Sequence, residues 1–177
     1  MMISTLPDHF RAHPWRSAGL LLGLGAGATI LGALFFEHVI KLAPCPLCLE
    51  QRVPYYIAIP LGFTIALAAH FRAPVLLLRL GLVAAGAVMI WAAVLGIYHA
   101  GAEWAFWPGP TTCGVPAPIT PRAGDLLRAI QTTRVADCTV VQWRFLGLSL
   151  AGWNAVIATS LAGIAFLGAS RSPAQKA

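Results

Sequence analysis

A chain of 177 residues in which 58% are hydrophobic and only 10% are charged is far more apolar than a soluble protein, where about a quarter of residues are charged. This composition excludes an ordinary water-soluble domain and predicts an integral membrane protein that contacts the lipid bilayer. The formal net charge is +6, but basic residues beside membrane spans interact with anionic leaflets, so the charge predicts no nucleic-acid partner.

Four apolar runs are long enough, or nearly so, to cross a bilayer, which takes about 20 helical residues. They cover about residues 17–36, 53–69, 75–98 and 145–169. The second run is the shortest and contains Pro60, so we expect a kink there that neighbouring helices accommodate. The sequence thus predicts an all-α membrane protein, a four-transmembrane-helix bundle that forms a single membrane domain over residues 1–177.

Glycines recur every four residues in the first run, at Gly19, Gly23 and Gly27. This spacing places them on one helix face, where small residues allow a second helix to approach closely. The string GLGAGA also resembles part of a nucleotide-binding loop, but no strand precedes it and it lies within a span. We therefore expect a face for helix packing.

All four cysteines lie in two loops, one between the first and second spans and one between the third and fourth spans. Four spans place both termini on one side of the membrane and these loops, about residues 37–52 and 99–144, on the other. Disulfides persist outside the cytosol, and the terminal side carries its basic residues more densely, as the positive-inside rule expects of the cytoplasmic side. We therefore expect cytoplasmic termini and cysteine loops in an oxidising compartment.

Cys45 and Cys48 form a C-x-x-C motif at the start of the second span. Unpaired N–H groups at a helix N-terminus favour a thiolate, which is the reactive form in thiol–disulfide exchange. The pattern favours a redox-active pair, with a static disulfide and half of a zinc site as alternatives. A zinc site would need ligands from both loops, and the second loop has no C-x-x-C motif.

The second loop carries the other two cysteines and a candidate surface helix. Cys113 lies in a Pro-rich, extended stretch, and Cys138 lies near the return to the membrane. A disulfide between them would stabilise the loop by roughly 3 kcal/mol. Residues 121–133, PRAGDLLRAIQTT, separate apolar and charged side chains onto opposite faces, which predicts a short amphipathic helix on the membrane surface or against its own loop.

Two further polar residues lie near the same membrane face. Arg52 follows Cys48 by four residues, so a continuous helix would place both side chains on one face. Its guanidinium is suited to stabilising a thiolate, to donating hydrogen bonds to a carbonyl-bearing acceptor, or to binding lipid phosphate. His99 ends the third run, where a solvated interfacial side chain is the simplest expectation.

As a set, the segments PCPLCLEQR, YH at the end of the third run, the Pro-rich approach to Cys113 and DCTVVQWRFLGL resemble the disulfide bond formation protein B family, DsbB. The resemblance covers essentially the whole chain. It implies a four-helix bundle in the bacterial inner membrane, with both cysteine loops in the periplasm. It also implies a thiol oxidase that reoxidises a soluble DsbA-like partner and passes the electrons to membrane ubiquinone or menaquinone.

The resemblance also implies roles for particular residues and no metal. The membrane-proximal redox pair would be Cys45 and Cys48, the loop pair Cys113 and Cys138, and the quinone-associated residues Arg52 and His99. Two positions depart from some members of the family. An acidic residue directly precedes the arginine in some members, where this chain has Gln51, and a methionine shortly follows the histidine in some, where this chain has Ala102.

Two other functions fit parts of the pattern. An enzyme of the vitamin K epoxide reductase type also places a C-x-x-C motif beside a quinone, but its loop pair comes before that motif in the chain, the reverse of this order. A non-enzymatic membrane protein would use the cysteines for two structural disulfides or one zinc site. Bound quinone and consumption of dithiols would distinguish an oxidase from such a protein.

Overall fold

Helices form nearly all of the regular structure in the computed structural model, which describes residues 13–110, 113 and 137–171. The elements are α1 Pro14–His38, α2 Pro46–Glu50, α3 Val53–His70, α4 Val75–Glu103, β1 Arg144–Phe145, β2 Leu148–Ser149 and α5 Leu150–Ser170. Among the described residues, four segments are long and apolar enough to cross a membrane, as predicted: α1, α2 continued by α3, α4, and α5. The amphipathic helix predicted at 121–133 lies outside the described residues.

The first and third spans extend beyond their predicted limits of 36 and 98 at the ends that face the cysteine loops. α1 continues to His38, and α4 continues to Glu103. Hydropathy ends a span at its first polar residue, whereas backbone hydrogen bonding continues through polar residues that tolerate the helix. As a result, Glu37, His99 and Glu103 lie on long apolar helices rather than in loops.

The fourth span begins later than the predicted residue 145, because the chain first forms a β-hairpin. β1 and β2 pair antiparallel, and the turn residues Leu146 and Gly147 have positive φ values of 51° and 83°. Positive φ at both central residues is typical of a type I′ hairpin turn and is incompatible with a right-handed helix. The helix starts only at Leu150, after Ser149, whose hydroxyl caps it by accepting a hydrogen bond from the N–H of Gly152.

Small residues bring the helices into close contact. α1 packs mainly on α3, and α4 packs mainly on α5. A Cβ atom on Gly19 would lie 2.7 Å from the carbonyl oxygen of Gly62, and one on Gly23 would lie 3.2 Å from the ring of Phe63. One on Gly27 would meet nothing within 4 Å. The predicted packing face is therefore confirmed at the first two glycines and wrong at the third.

Buried and exposed apolar residues have distinct places in the bundle. Leu22, Leu82 and Met89 are fully buried between the helices, together with many alanines. On the outside, large apolar side chains such as Leu31 and Leu76 are each 69% exposed. In water such a surface would drive aggregation, but it suits contact with lipid tails.

The close contact at Gly62 predicts a site-specific stability effect. Gly62→Ala should lower the stability of the bundle by about 1–3 kcal/mol, because the new Cβ would lie 2.7 Å from the backbone nitrogen of Gly23 and must push α1 away. Thermal unfolding in detergent micelles, followed by circular dichroism, measures the effect. Gly27→Ala is the matched control and should be neutral or slightly stabilising; equal melting temperatures for the two variants would contradict the packing.

Candidate active site

Cys45 and Cys48 lie together at the start of the second span. Cys45 is the N-cap of α2, and its sulfur accepts a hydrogen bond of 3.2 Å from the backbone N–H of Cys48. The two sulfur atoms are 2.6 Å apart, and both residues are free thiols. Pro46 at the first helical position favours this tight turn. Only a small movement is needed to join the two sulfurs in a disulfide.

The two thiols differ in their surroundings. Cys45 is 1% exposed, whereas Cys48 is only partly buried. The hydrogen bond to Cys48, followed by burial, raises the pKa of the Cys45 thiol above its ordinary value. Cys45 therefore keeps its proton at neutral pH and needs a base before it can act as a nucleophile.

The second pair of cysteines forms a disulfide that packs against the first pair. Cys113 and Cys138 are bonded, with their Cα atoms 5.6 Å apart. Cys138 is completely buried and clusters with Cys45 and Leu47, and Cys48 and Cys113 pack against this cluster. The structure thus gathers all four cysteines, drawn from two separate loops, into one cluster.

Polar contacts hold the segment after Cys138 over the first pair. The Asp137 carboxylate accepts hydrogen bonds of 2.9 Å from the backbone N–H and the hydroxyl of Thr139, and these bonds hold the pKa of Asp137 below its ordinary value. Gln142 donates from Nε2 to the carbonyl oxygen of Ala43, 3.0 Å away. Because Ala43 lies just before the C-x-x-C motif, this bond joins the two cysteine-containing segments directly.

Next to the cysteine cluster, a directional chain of hydrogen bonds connects three helical segments. The Tyr55 hydroxyl donates to Oδ1 of Asn154 at 2.6 Å, and Nδ2 of Asn154 donates to Oε1 of Gln51 at 2.6 Å. Nε2 of Gln51 then donates to Nδ1 of His99 at 2.7 Å. Since Nδ1 accepts, the proton of the neutral His99 ring resides on Nε2.

The other ring nitrogen of His99 faces the cysteine pair and a carboxylate. His99 Nε2 lies 3.7 Å from the sulfur of Cys45 and 4.0 Å from Oε1 of Glu103. Both side chains of this histidine–glutamate pair are almost completely buried, with 5% and 6% of their surface exposed. His99 is thus positioned to donate its N–H toward the Cys45 sulfur.

A mostly apolar cavity of about 800 Å³ lies beside the cysteine pair and is lined by residues of α1, α3 and α5. Cys48, Gln51, Arg52 and His99 contribute polar groups to its wall. Nη1 of Arg52 donates to Oε2 of Glu37 at 2.6 Å, and both of these residues line the cavity. Cavities of this size and character commonly bind small molecules with an apolar body and a few polar atoms.

Comparison with known proteins identifies the family. The family model for disulfide bond formation protein DsbB matches residues 15–168. The chain belongs to the DsbB family. Relatives named disulfide bond formation protein B include those of Nitrosospira multiformis (32% identity, covering 85% of this chain and 89% of the relative), Sodalis glossinidius (32%, 89% and 87%) and Aromatoleum aromaticum (34%, 84% and 89%). The protein is therefore a multi-pass membrane oxidoreductase of disulfide bond formation.

The structure brings together all of the residues to which the DsbB resemblance assigns a role. The cysteines form the cluster, and Arg52 and His99 line the adjacent cavity with Cys48. Two expectations about these residues are wrong in detail. His99 is 4% exposed rather than solvated, because α4 continues past it. Arg52 and Cys48 do not share a continuous helix, since the chain turns between α2 and α3, yet both still face the cavity.

Sequence reasoning missed four polar residues at this DsbB site: Glu37, Tyr55, Glu103 and Asn154. The two glutamates carried a signal, because an ionisable residue inside a membrane helix is usually paired and functional. The predicted span limits placed both of them in loops, which concealed that signal. Tyr55 and Asn154 carried none, since their partners lie on other helices.

The structure also bears on the zinc alternative. Cys113 and Cys138 are bonded to each other, so they do not supply thiolates to a four-cysteine site. Within the part of the chain that the structure describes, one group of three potential metal-binding side chains converges, with the donor atoms of Cys45, Cys48 and His99 within 4.8 Å of one another. Sulfur atoms 2.6 Å apart are too close to be separate ligands of one ion and fit a redox pair better.

Proposed function

We propose that this DsbB-family protein oxidises a periplasmic DsbA-like partner with its loop disulfide and passes the electrons through Cys45 and Cys48 to a membrane quinone, either ubiquinone or menaquinone. The observation that carries the proposal is the cluster of four cysteines. Its outer pair, Cys113 and Cys138, is a disulfide, and its inner pair, Cys45 and Cys48, adjoins a large apolar cavity. The proposal places the protein in the bacterial inner membrane with both cysteine loops in the periplasm.

In the proposed sequence, each exchange replaces one disulfide by another and releases one thiolate. The partner's thiolate attacks Cys113 and releases Cys138. The partner's second thiol then attacks the partner's sulfur in this mixed disulfide, which closes the partner's own disulfide and releases Cys113. Cys138 attacks Cys45 and releases Cys48, and Cys113 closes on Cys138 again. The burial of Cys138 against Cys45 supports this order. Two electrons have then moved from the partner to the inner pair.

The cavity beside Cys48 fits a quinone. Its apolar walls suit an isoprenoid tail, and the remaining N–H groups of Arg52 suit a ring carbonyl oxygen. Glu37 fixes the guanidinium through the 2.6 Å ion pair, so Arg52 is held in place at the cavity wall. A bound quinone supplies the electron acceptor, which takes up two electrons and two protons.

The proposal is tested by adding a reduced thioredoxin-fold protein to the purified membrane protein with ubiquinone or menaquinone. The wild-type protein should oxidise one partner dithiol for each quinone reduced, followed by quinone absorbance and by thiol titration. The Cys48→Ser variant should lose quinone reduction, because the inner disulfide can no longer form. A wild-type protein that binds no quinone and oxidises no dithiol would favour a structural role for the cysteines.

The ion pair in the cavity predicts a specific role for Arg52. Arg52→Ala should raise the apparent KM for quinone by about 10- to 100-fold, because hydrogen bonds to charged groups contribute about 1.5–3 kcal/mol. Arg52→Lys should restore only part of the affinity, since an ammonium lacks the planar fork of donors. Steady-state quinone titrations at saturating partner concentration measure both effects.

Two controls accompany this prediction. Arg72→Ala removes an exposed arginine just beyond the opposite end of α3 and should leave the KM for quinone unchanged. Glu37→Gln keeps a hydrogen-bond acceptor but loosens the guanidinium, so its KM should lie between those of the wild type and Arg52→Ala. An unchanged quinone KM in Arg52→Ala, with a weaker affinity for the protein partner, would reverse the assignment.

The order of exchange predicts which mixed disulfides accumulate. Cys138→Ser should trap on Cys113 a single-cysteine partner whose sulfur is activated as a thionitrobenzoate disulfide. Cys113 attacks the partner's sulfur and releases thionitrobenzoate, and no thiol at position 138 remains to resolve the mixed disulfide. Cys113→Ser should trap no partner. Non-reducing electrophoresis and mass spectrometry of the cross-linked peptides identify the bond. A partner found on Cys45 while Cys113 remains free would overturn this order.

A further inference from the structure

Formation of the Cys45–Cys48 disulfide from two thiols releases two electrons and two protons. By the proposed function, on which this inference rests, the electrons leave through Cys48, which faces the large cavity. Cys45 must lose its proton to become the nucleophile that bonds to Cys48. It is buried and hydrogen-bonded, and water does not reach it freely. The protein therefore needs an internal acceptor for this proton.

His99 places an ionisable ring 3.7 Å from the Cys45 sulfur, but its hydrogen bonds make it a donor. Its Nδ1 lone pair accepts the N–H of Gln51, and the opposite nitrogen, Nε2, presents a hydrogen toward sulfur at 3.7 Å. In this form the ring has no free lone pair to take a proton. It can stabilise a Cys45 thiolate by hydrogen bonding, but the proton must go elsewhere.

Glu103 offers the free acceptor atom. Its side chain is 6% exposed, and among the described residues its Oε2 atom has no hydrogen-bond partner. Glu103 lines a second, small cavity of about 30 Å³ together with Cys45, Cys48 and His99. A space of this size holds one water molecule, which is enough to connect a thiol with a carboxylate that does not touch it.

We propose that Glu103 accepts the proton that Cys45 releases when the Cys45–Cys48 disulfide forms. The S–H bond of Cys45 breaks, its proton passes to the carboxylate of Glu103, and the thiolate displaces the group bonded to the sulfur of Cys48. The N–H of His99 steadies the transient negative charge on Cys45. Glu103 acts on the inner pair alone, because the partner meets the outer pair.

Among the described groups around the small cavity, Glu103 is the one best suited to accept the proton from Cys45. His99 faces Glu103 from its own helix, and Cys45 and Cys48 face the same small cavity. Ser149 and Arg144 interact with the carboxylate. Asp137 also lines the small cavity, but its side chain is exposed, and its two bonds from Thr139 hold its pKa below the ordinary value, which makes it a weaker base. Asp137 therefore provides a matched control carboxylate.

A quinone-free assay isolates the step. The full-length protein carrying Cys113→Ser and Cys138→Ser, reduced and free of quinone, is mixed with dipyridyl disulfide. Cys48 attacks first and releases one pyridinethione, and Cys45 then attacks the mixed disulfide on Cys48 and releases a second. Stopped-flow absorbance resolves these two releases, and the rate of the second reports the loss of the proton from Cys45.

In this background Glu103→Gln should slow the second release by about 100-fold at neutral pH, the usual size of a general-base contribution. The rate of the first pyridinethione release and the melting temperature of the protein should stay unchanged. The wild-type rate should level off once Glu103 is ionised, whereas the rate of the Gln variant should keep rising by about tenfold per pH unit, since it depends on hydroxide. Glu103→Asp should recover part of the rate, and Asp137→Asn should match the wild type.

The outcomes separate the possibilities. A structural role of Glu103 would slow both releases and lower the melting temperature together. The inference would be overturned if Glu103→Gln left the rate of the second release unchanged, or if Asp137→Asn slowed that release as much as Glu103→Gln does. Because the assay contains no quinone, a protein that fails to reduce quinones but shows Glu103-dependent closure would refute the proposed function and leave the proton assignment intact.

Discussion

The site depends on a requirement that the bilayer imposes, namely that polar groups buried among apolar helices find partners within the protein. Here the requirement is met by the hydrogen-bond chain from Tyr55 through Asn154 and Gln51 to His99. The two side-chain amides fix the donor and the acceptor of each link, so the chain runs from the phenol to the imidazole. The chain connects α3, the turn before it, α4 and α5, and it sets the orientation of the imidazole ring that faces Cys45.

The same requirement governs the charges at this end of the bundle. Arg52 is satisfied by Glu37 at 2.6 Å, so the cavity wall carries a fixed guanidinium without an unpaired charge. A buried charge left alone costs several kcal/mol, whereas a paired one keeps its remaining donors available to a ligand. The other carboxylate of the long helices, Glu103, has one oxygen without a partner among the described residues, and it lines the small cavity with Cys45.

The two sulfurs of the inner pair thereby occupy different environments although only two residues separate them in the chain. Cys48 lines the large apolar cavity, whereas Cys45 is enclosed by Leu47 and Cys138 and has His99 beside it. The short helix α2 produces this difference, because its N-cap sulfur turns inward while the residue a turn later faces outward. In the proposed function, Cys138 attacks one of these sulfurs and the quinone meets the other.

The sequence by itself determined the membrane class, the four spans, the C-x-x-C pair and the family. These follow from local properties, since apolar run length, C-x-x-C spacing and loop composition need no knowledge of distant contacts. Only the tertiary structure decided that Glu37 pairs with Arg52, that Gln51 reaches His99, and that Glu103 lies at the cysteine cluster. Each of these contacts joins residues on different spans, so it exists only once the helices have packed, and no local pattern in the chain encodes it.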